Sequence, residues 1–173
     1  MITPVEIETA LGKIVAEIYA DRAPASAGFF LRGVDAGRYD GTAFFRILSR
    51  ANQTQEDPVE MIQAGEPIPP EAEIRHQIAH ETTEMTGLRH KRGAISLPRY
   101  SPGAVYHSFG VCMGDAPSLD FGGGRNPDGL GFAVFGQVVD GMDVAEAIFA
   151  RAEPAPMIMR PIPIYRIRRA GRE

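Results

Sequence analysis

The chain has 173 residues, of which 44% are hydrophobic and 23% charged, with a formal net charge of −4 and a pI near 5.6. This composition is typical of a soluble globular protein, and the length predicts one domain over residues 1–173. The weak acidity disfavours nucleic acid as a partner. The sequence contains no run of about eighteen apolar residues, so no membrane span is predicted. The N-terminal MITPVEIET lacks a basic and apolar leader, so we expect a cytoplasmic protein, or a periplasmic one whose leader has been removed. Cys112 is the single cysteine and is expected to be a buried thiol.

The first predicted elements alternate apolar and polar residues, which is typical of strands with one buried face. The segments 5–7 and 14–18 show this alternation, and Gly12 predicts the turn of a β-hairpin between them. A helix is predicted from Pro24, because proline is favoured in the first helical turn, to Gly37, which is a good stop.

Beyond this helix, apolar runs predict more strands, a short second helix and a β-rich domain. A sheet of this size commonly avoids exposed edges by closing into a barrel. Long loops are predicted at 51–58 and 114–130, and long loops in compact domains are more often functional than idle. The remaining strands are expected at 43–48, 60–64, 93–98, 107–113, 131–138 and 162–168, and the second helix at 142–150.

Three polar patterns suggest a metal site, a phosphate site or a serine nucleophile, but each lacks residues or spacing that the site requires. His76 and His80 stand four apart, as two metal ligands on one helix face do, but a zinc hydrolase needs glutamate at the position of Gln77. Exposed histidines without a metal are therefore expected. FGGGRNPDG lacks the spacing of a phosphate cradle, and its glycines favour a folded loop. No nucleophile elbow surrounds the candidate serines, which are Ser26, Ser108 and Ser118.

Two polar residues lie in neighbouring apolar strands. Arg46 interrupts AFFRIL, and Gln63 ends the run MIQ. A lone strand arginine usually points outward and pairs with a surface carboxylate, but this arginine and glutamine together can also mark a site.

Several stretches together resemble the cyclophilin-type peptidyl-prolyl isomerases. The chain matches the family's G-Y-x-G-x-x-F-x-R strand with Gly37, Tyr39, Gly41, Phe44 and Arg46. The similarity covers residues 4–168, and the 49–58 insert and the DFGGGRNPDG loop resemble a bacterial branch. Further matching stretches are MIQAG, GAISLPRYSPG and GFAVFGQVVDGMDVAEAI.

The resemblance implies a mainly β fold, a closed eight-stranded antiparallel barrel capped by two α-helices, and a groove in which X–Pro bonds rotate without metal or cofactor. Arg46 would donate to the prolyl nitrogen, and Gln63 would bind substrate backbone or hold the arginine. The implied partners are proline-containing segments of unfolded or exposed proteins, bound by a monomer. The implied substrate-binding residues are Phe44, Glu60, Met61, Ser108, Phe109, Gly110, Leu119 and Phe132.

The groove departs from the family pattern at two main positions. Glu60 replaces a pocket phenylalanine, where it either holds Arg46 or competes with substrate for it. Gly110 replaces the phenylalanine of the pocket floor, which weakens proline binding about tenfold unless Tyr106 or His107 fills the space. Two hypotheses follow: an isomerase that assists folding with weakened activity, or a catalytically poor module that binds Pro-containing peptides or a protein partner. Smaller departures are Pro98-Arg99 in place of Ala-Asn, Phe132 in place of histidine, and the lack of tryptophan.

Overall fold

The computed structural model describes residues 1–171. Eight strands form a closed antiparallel barrel in the order β1-β10-β3-β4-β8-β6-β9-β2, and β5 and β7 pair separately. This confirms the closed eight-stranded barrel. The strands are β1 (Ile2–Thr9), β2 (Gly12–Tyr19), β3 (Ala43–Leu48), β4 (Met61–Gly65), β5 (His76–Gln77), β6 (Ala94–Leu97), β7 (Ala104–Val105), β8 (Ser108–Cys112), β9 (Ala133–Asp140) and β10 (Met157–Arg169).

The alternation in the sequence places one side of each strand inside the barrel. Ile7 of β1 lies opposite Ile14 of β2, and both side chains are fully buried. Aromatic rings fill the centre, where Phe30 contacts the edge of Phe109 with ring centroids 5.6 Å apart. The barrel interior is therefore a packed core, and a ligand must bind on its outer surface.

Within residues 1–171, three α-helices accompany the barrel instead of the two that were predicted. They are α1 (Pro24–Asp35), α2 (Thr83–Thr86) and α3 (Met142–Phe149). The additional helix, α2, is one turn long, so it shows no apolar periodicity in the sequence. The Thr82 side chain accepts a hydrogen bond from Met85 N at 3.2 Å, and Gly87 ends the turn with a φ of 73°.

The segment HQIAH is extended, so His76 and His80 do not share a helical face. His76 and Gln77 form β5, and the next three residues have no regular structure. Within residues 1–171, no three His, Cys, Asp or Glu side chains meet as metal ligands. In the same part of the chain, no helix is long and apolar enough to cross a membrane. Cys112 is fully buried, as expected.

The N-terminus of α1 receives its cap from a distant residue. Ala23 offers no side-chain cap, but the buried Glu81 carboxylate accepts hydrogen bonds from Ala25 N at 3.0 Å and Ser26 N at 2.8 Å. The Ser26 hydroxyl also donates to Glu81, at 2.7 Å. Glu81 thus satisfies amides that a helix N-terminus leaves free, and its charge complements the helix dipole.

Candidate functional site

A β-bulge turns Arg46 toward the outer surface of the barrel. The register between β3 and β4 shifts between Phe44 and Arg46, after which Arg46 lies opposite Gln63. Phe44 and Ile47, an odd number of residues apart, both point into the core. Because side chains of a regular strand alternate, this spacing requires the bulge, which aims Arg46 out of the core.

A chain of hydrogen bonds fixes the Arg46–Gln63 pair. Arg46 Nη1 donates to Gln63 Oε1 at 3.0 Å, and Gln63 Nε2 donates to Ser108 Oγ at 3.1 Å. The Ser108 hydroxyl in turn donates to the carbonyl of Ala64 at 2.7 Å. Since this bond uses the hydroxyl proton, Ser108 can only accept from Gln63, which keeps the amide oxygen facing the guanidinium.

Arg46 is partly buried and has no carboxylate partner. Burial lowers the pKa of its guanidinium, Tyr106 opposes that shift, and the nearby Arg125 adds to it. The group remains charged, because arginine does not lose its proton in proteins. Within residues 1–171, no carboxylate oxygen lies within 4.0 Å of it. Its remaining donors are therefore available to a ligand.

An apolar cavity of about 150 Å³ opens beside this pair. Pocket volumes for whole drug-sized ligands are several times larger, so the cavity suits one small apolar side chain. Of the predicted site residues, Arg46, Gln63, Met61, Gly110, Leu119 and Phe132 line it. Sequence reasoning missed four other lining residues, which are Leu48, Val59, Ser96 and Arg125.

Four predicted binding residues do not line the cavity. Phe44 and Phe109 are fully buried inside the barrel, with ring centroids 6.0 Å apart, so they support the groove from behind. Ser108 is also fully buried and acts through Gln63. Glu60 lies beside Arg50, with 3.5 Å between carboxylate and guanidinium. It neither holds Arg46 nor competes for it, which corrects both expectations.

Met61 covers the backbone of Gly110. A Cβ atom at Gly110 would lie 2.5 Å from Met61 Sδ, so the thioether occupies the space that a larger side chain would enter. Tyr106 and His107, the predicted replacements, do not line the cavity. Tyr106 lies beside Gln63 and packs near Tyr100, and His107 stacks on Phe29 with centroids 4.6 Å apart. A flexible methionine thus closes the pocket floor.

A buried histidine braces the cavity wall at Ser96. His90 Nε2 lies 2.8 Å from Ser96 Oγ, and His90 Nδ1 lies 2.7 Å from Asp120 Oδ1. Burial opposes ionisation of Asp120, but hydrogen bonds from the His90 ring and backbone outweigh it and lower the pKa of the carboxyl. The network joins β6 to the loop that carries Leu119. Asp120 lies 30 residues from His90 in the sequence, and no residue pattern joined the three side chains.

The two long loops meet at Arg125. Arg125 belongs to the glycine-rich run, and its Nη2 donates to Gln53 Oε1 at 3.3 Å on the 51–58 loop. Its backbone N–H donates to Ser118 O at 3.0 Å. The run was predicted to be a folded loop only, and its spacing gave no sign that it brings a charge to the cavity.

Comparisons with known proteins agree on one family. The sequence model of the cyclophilin type peptidyl-prolyl cis-trans isomerases matches residues 4–171. A peptidyl-prolyl cis-trans isomerase of Streptomyces antibioticus is 33% identical over 146 residues, which cover 83% of this chain and 81% of that protein. Peptidyl-prolyl cis-trans isomerase B of Escherichia coli is 31% identical over 147 residues, with coverage of 83% and 82%.

Solved structures show the same fold. A crystal structure of a cyclophilin type peptidyl-prolyl cis-trans isomerase of Cryptosporidium parvum superposes with a TM-score of 0.76 over 100% of both chains, at 17% identity. A second crystal structure of that protein, obtained in the presence of the dipeptide Ala-Pro, gives a TM-score of 0.74. At this identity the likeness supports the architecture alone.

Proposed function

Because the chain belongs to the cyclophilin-type peptidyl-prolyl cis-trans isomerases, we propose that it rotates X–Pro bonds at the Arg46–Gln63 pair. The observation that carries this proposal is a fixed guanidinium, without a carboxylate partner, beside an apolar cavity. Its substrates are proline-containing segments of unfolded or exposed proteins, and it acts as a monomer in assisting their folding. No metal or cofactor takes part in bond rotation.

The cavity binds the proline ring, and Arg46 acts on the amide. Met61, Leu119 and Phe132 supply apolar contacts for the ring. Rotation loses C–N resonance, which sets an uncatalysed barrier of about 20 kcal/mol. In the twisted state the nitrogen lone pair is localised and accepts a hydrogen bond, whereas in the planar amide it is delocalised. A donor from Arg46 therefore stabilises the twisted state selectively, by about 1.5–3 kcal/mol for a charge-assisted bond.

Gln63 acts through Arg46. Its Oε1 accepts from Arg46, and its Nε2 donates to Ser108. Each end of the amide is thus held by a neighbour, so Gln63 serves as a positioning residue that holds the guanidinium at the cavity.

A second candidate function rests on Gly110. The residue offers no side chain to a bound proline ring, and Met61 is a mobile substitute for an aromatic floor. This favours a module that binds Pro-containing peptides or a protein partner with little catalysis.

Isomerisation of an X–Pro test peptide separates the two functions. We expect wild-type protein to be active and Arg46→Ala to lower kcat/KM at least tenfold, mainly through kcat, because the bond is made in the transition state. The matched control is Arg32→Gln, which removes an exposed arginine of α1 and should leave the rate unchanged. Rates near background in both wild type and Arg46→Ala would exclude the isomerase. Retained peptide binding would then support the module.

A further inference from the structure

The half-buried arginines divide into two pairs with different surroundings. Among residues 1–171, four arginines are neither exposed nor fully buried. Arg99 and Arg169 each have a carboxylate oxygen nearby, at 3.0 and 2.8 Å. Arg46 and Arg125 have none within 4.0 Å in the described part of the chain, and both line the cavity. Partial burial without a partner costs solvation energy, which an anionic ligand can restore.

Arg125 is held in place by neutral groups. Its Nη2 donates to Gln53 Oε1, while Gln53 Nε2 donates to the carbonyls of Ser49 and Val59 at 2.7 and 2.6 Å. These two bonds fix the Gln53 amide so that its oxygen faces the guanidinium. The charge of Arg125 is therefore positioned but not neutralised.

One Arg125 donor lacks an acceptor altogether. Its Nη1 is enclosed and makes no hydrogen bond. Buried donors in native proteins nearly always have a partner, so this donor adds to the cost of leaving the guanidinium without a counter-charge. Asp57 shares an outer hollow with Arg125, but its carboxylate lies more than 4.0 Å away.

We propose that Arg125 forms an anion subsite that selects substrates with an acidic side chain directly before or after the proline. Arg46 is committed to the prolyl amide, so the second guanidinium acts on a neighbouring substrate residue. The fork geometry of arginine matches a carboxylate, and two positive groups at one cavity attract an anionic peptide. The inference rests on the proposed function, since it places the proline in the cavity.

The test uses two pairs of peptides that differ only by Glu against Gln, one pair before the proline and one after it. We expect wild-type protein to prefer Glu roughly five- to tenfold in kcat/KM in at least one pair, and less at 1 M salt. In Arg125→Gln the Glu/Gln ratio should fall to about one. Arg125→Lys should keep part of the preference, and Arg32→Gln all of it.

Two outcomes would overturn the subsite. One is a wild-type ratio near one in both pairs, and the other is an unchanged ratio in Arg125→Gln. The rate on Gln peptides tests the isomerase separately from the subsite. If wild type catalyses neither peptide, the ratio of Kd for Glu and Gln peptides, measured for wild type and Arg125→Gln, decides the subsite alone.

Discussion

Arg46 and Arg125 line the same cavity, but only the position of Arg46 could be predicted from the sequence. Arg46 lies in a strand whose glycine, aromatic and arginine spacing matches a family motif, so its position at the site could be predicted. Arg125 lies in a glycine-rich loop, and its place depends on a contact with Gln53 that is 72 residues away. The direction of Phe44 was also hidden, because a bulge that reverses alternation leaves no mark in the residue pattern.

The floor of the cavity yields a prediction at Gly110. Gly110→Ala adds a Cβ 2.5 Å from Met61 Sδ, so the thioether must move by about an ångström. Because a flexible side chain yields easily, we expect a loss in unfolding free energy below about 1 kcal/mol. The displaced thioether enters the cavity and raises KM for an X–Pro peptide severalfold. Steady-state kinetics and thermal unfolding measure the two effects.

The matched control is the same substitution in a Met61→Ala background. There the added methyl group meets no thioether, so the effect of Gly110→Ala on KM should disappear. An equal rise in KM in both backgrounds would show that Met61 does not form the floor.

At the scale of elements, features that depend on local periodicity could be predicted from the sequence, and features that depend on long-range contacts could not. The β1–β2 hairpin and α1 were predicted because alternation and Pro24 are local signals. The second half of β10 was predicted as a strand, but its first residues are mostly exposed and show little apolar pattern. The cap of α1 could not be predicted, because Glu81 is 55 residues from Ser26 in the sequence. The pattern noted beside Glu81 was the pair of histidines, which gives no sign of a helix cap.

Glu81 is therefore expected to stabilise α1 from outside the helix. Ala25 N and Ser26 N donate to different oxygens of Glu81, so in Glu81→Gln the NH₂ group faces one of these two amides and a donor meets a donor. We expect the unfolding free energy to fall by about 1–3 kcal/mol. Denaturant unfolding measures the change, and the exposed Glu84→Gln of α2 is the matched control. A loss no larger than that of the control would contradict the capping role.

At the scale of the whole molecule, barrel closure brings the first and last strands together. Ile7 of β1 lies opposite Ile167 of β10, and Arg166 pairs with Glu8 at 2.8 Å on the outer face. The family resemblance predicted this closure because its motifs cover nearly the whole chain. The course of the two long loops could not be predicted, since it depends on side-chain bonds such as those of Gln53 rather than on apolar periodicity.

The stability of the whole molecule should depend on two histidines in mildly acidic solution. Burial lowers the pKa of His107, Arg38 and His76 add to the shift, and Glu66 opposes it. Burial likewise lowers the pKa of His80. As the pH falls through the unfolded value near 6.5, the unfolded chain takes up protons before the folded chain does. The unfolding free energy therefore falls below pH 6.5, and above about pH 5 most carboxylates stay ionised and contribute little to the change.

His107→Phe isolates one of these two contributions. The substitution keeps a ring stacked on Phe29 and removes the titrating group, including its buried Nδ1 that lacks a partner. We expect the plot of unfolding free energy against pH to be less steep in the variant between about pH 5 and 6.5. His80 contributes to the slope in both proteins, so the slope of the variant should not fall to zero. Urea unfolding at a series of pH values measures both slopes. Equal slopes would mean that His107 takes up its proton as readily in the folded chain as in the unfolded one, so that its protonation is not linked to folding.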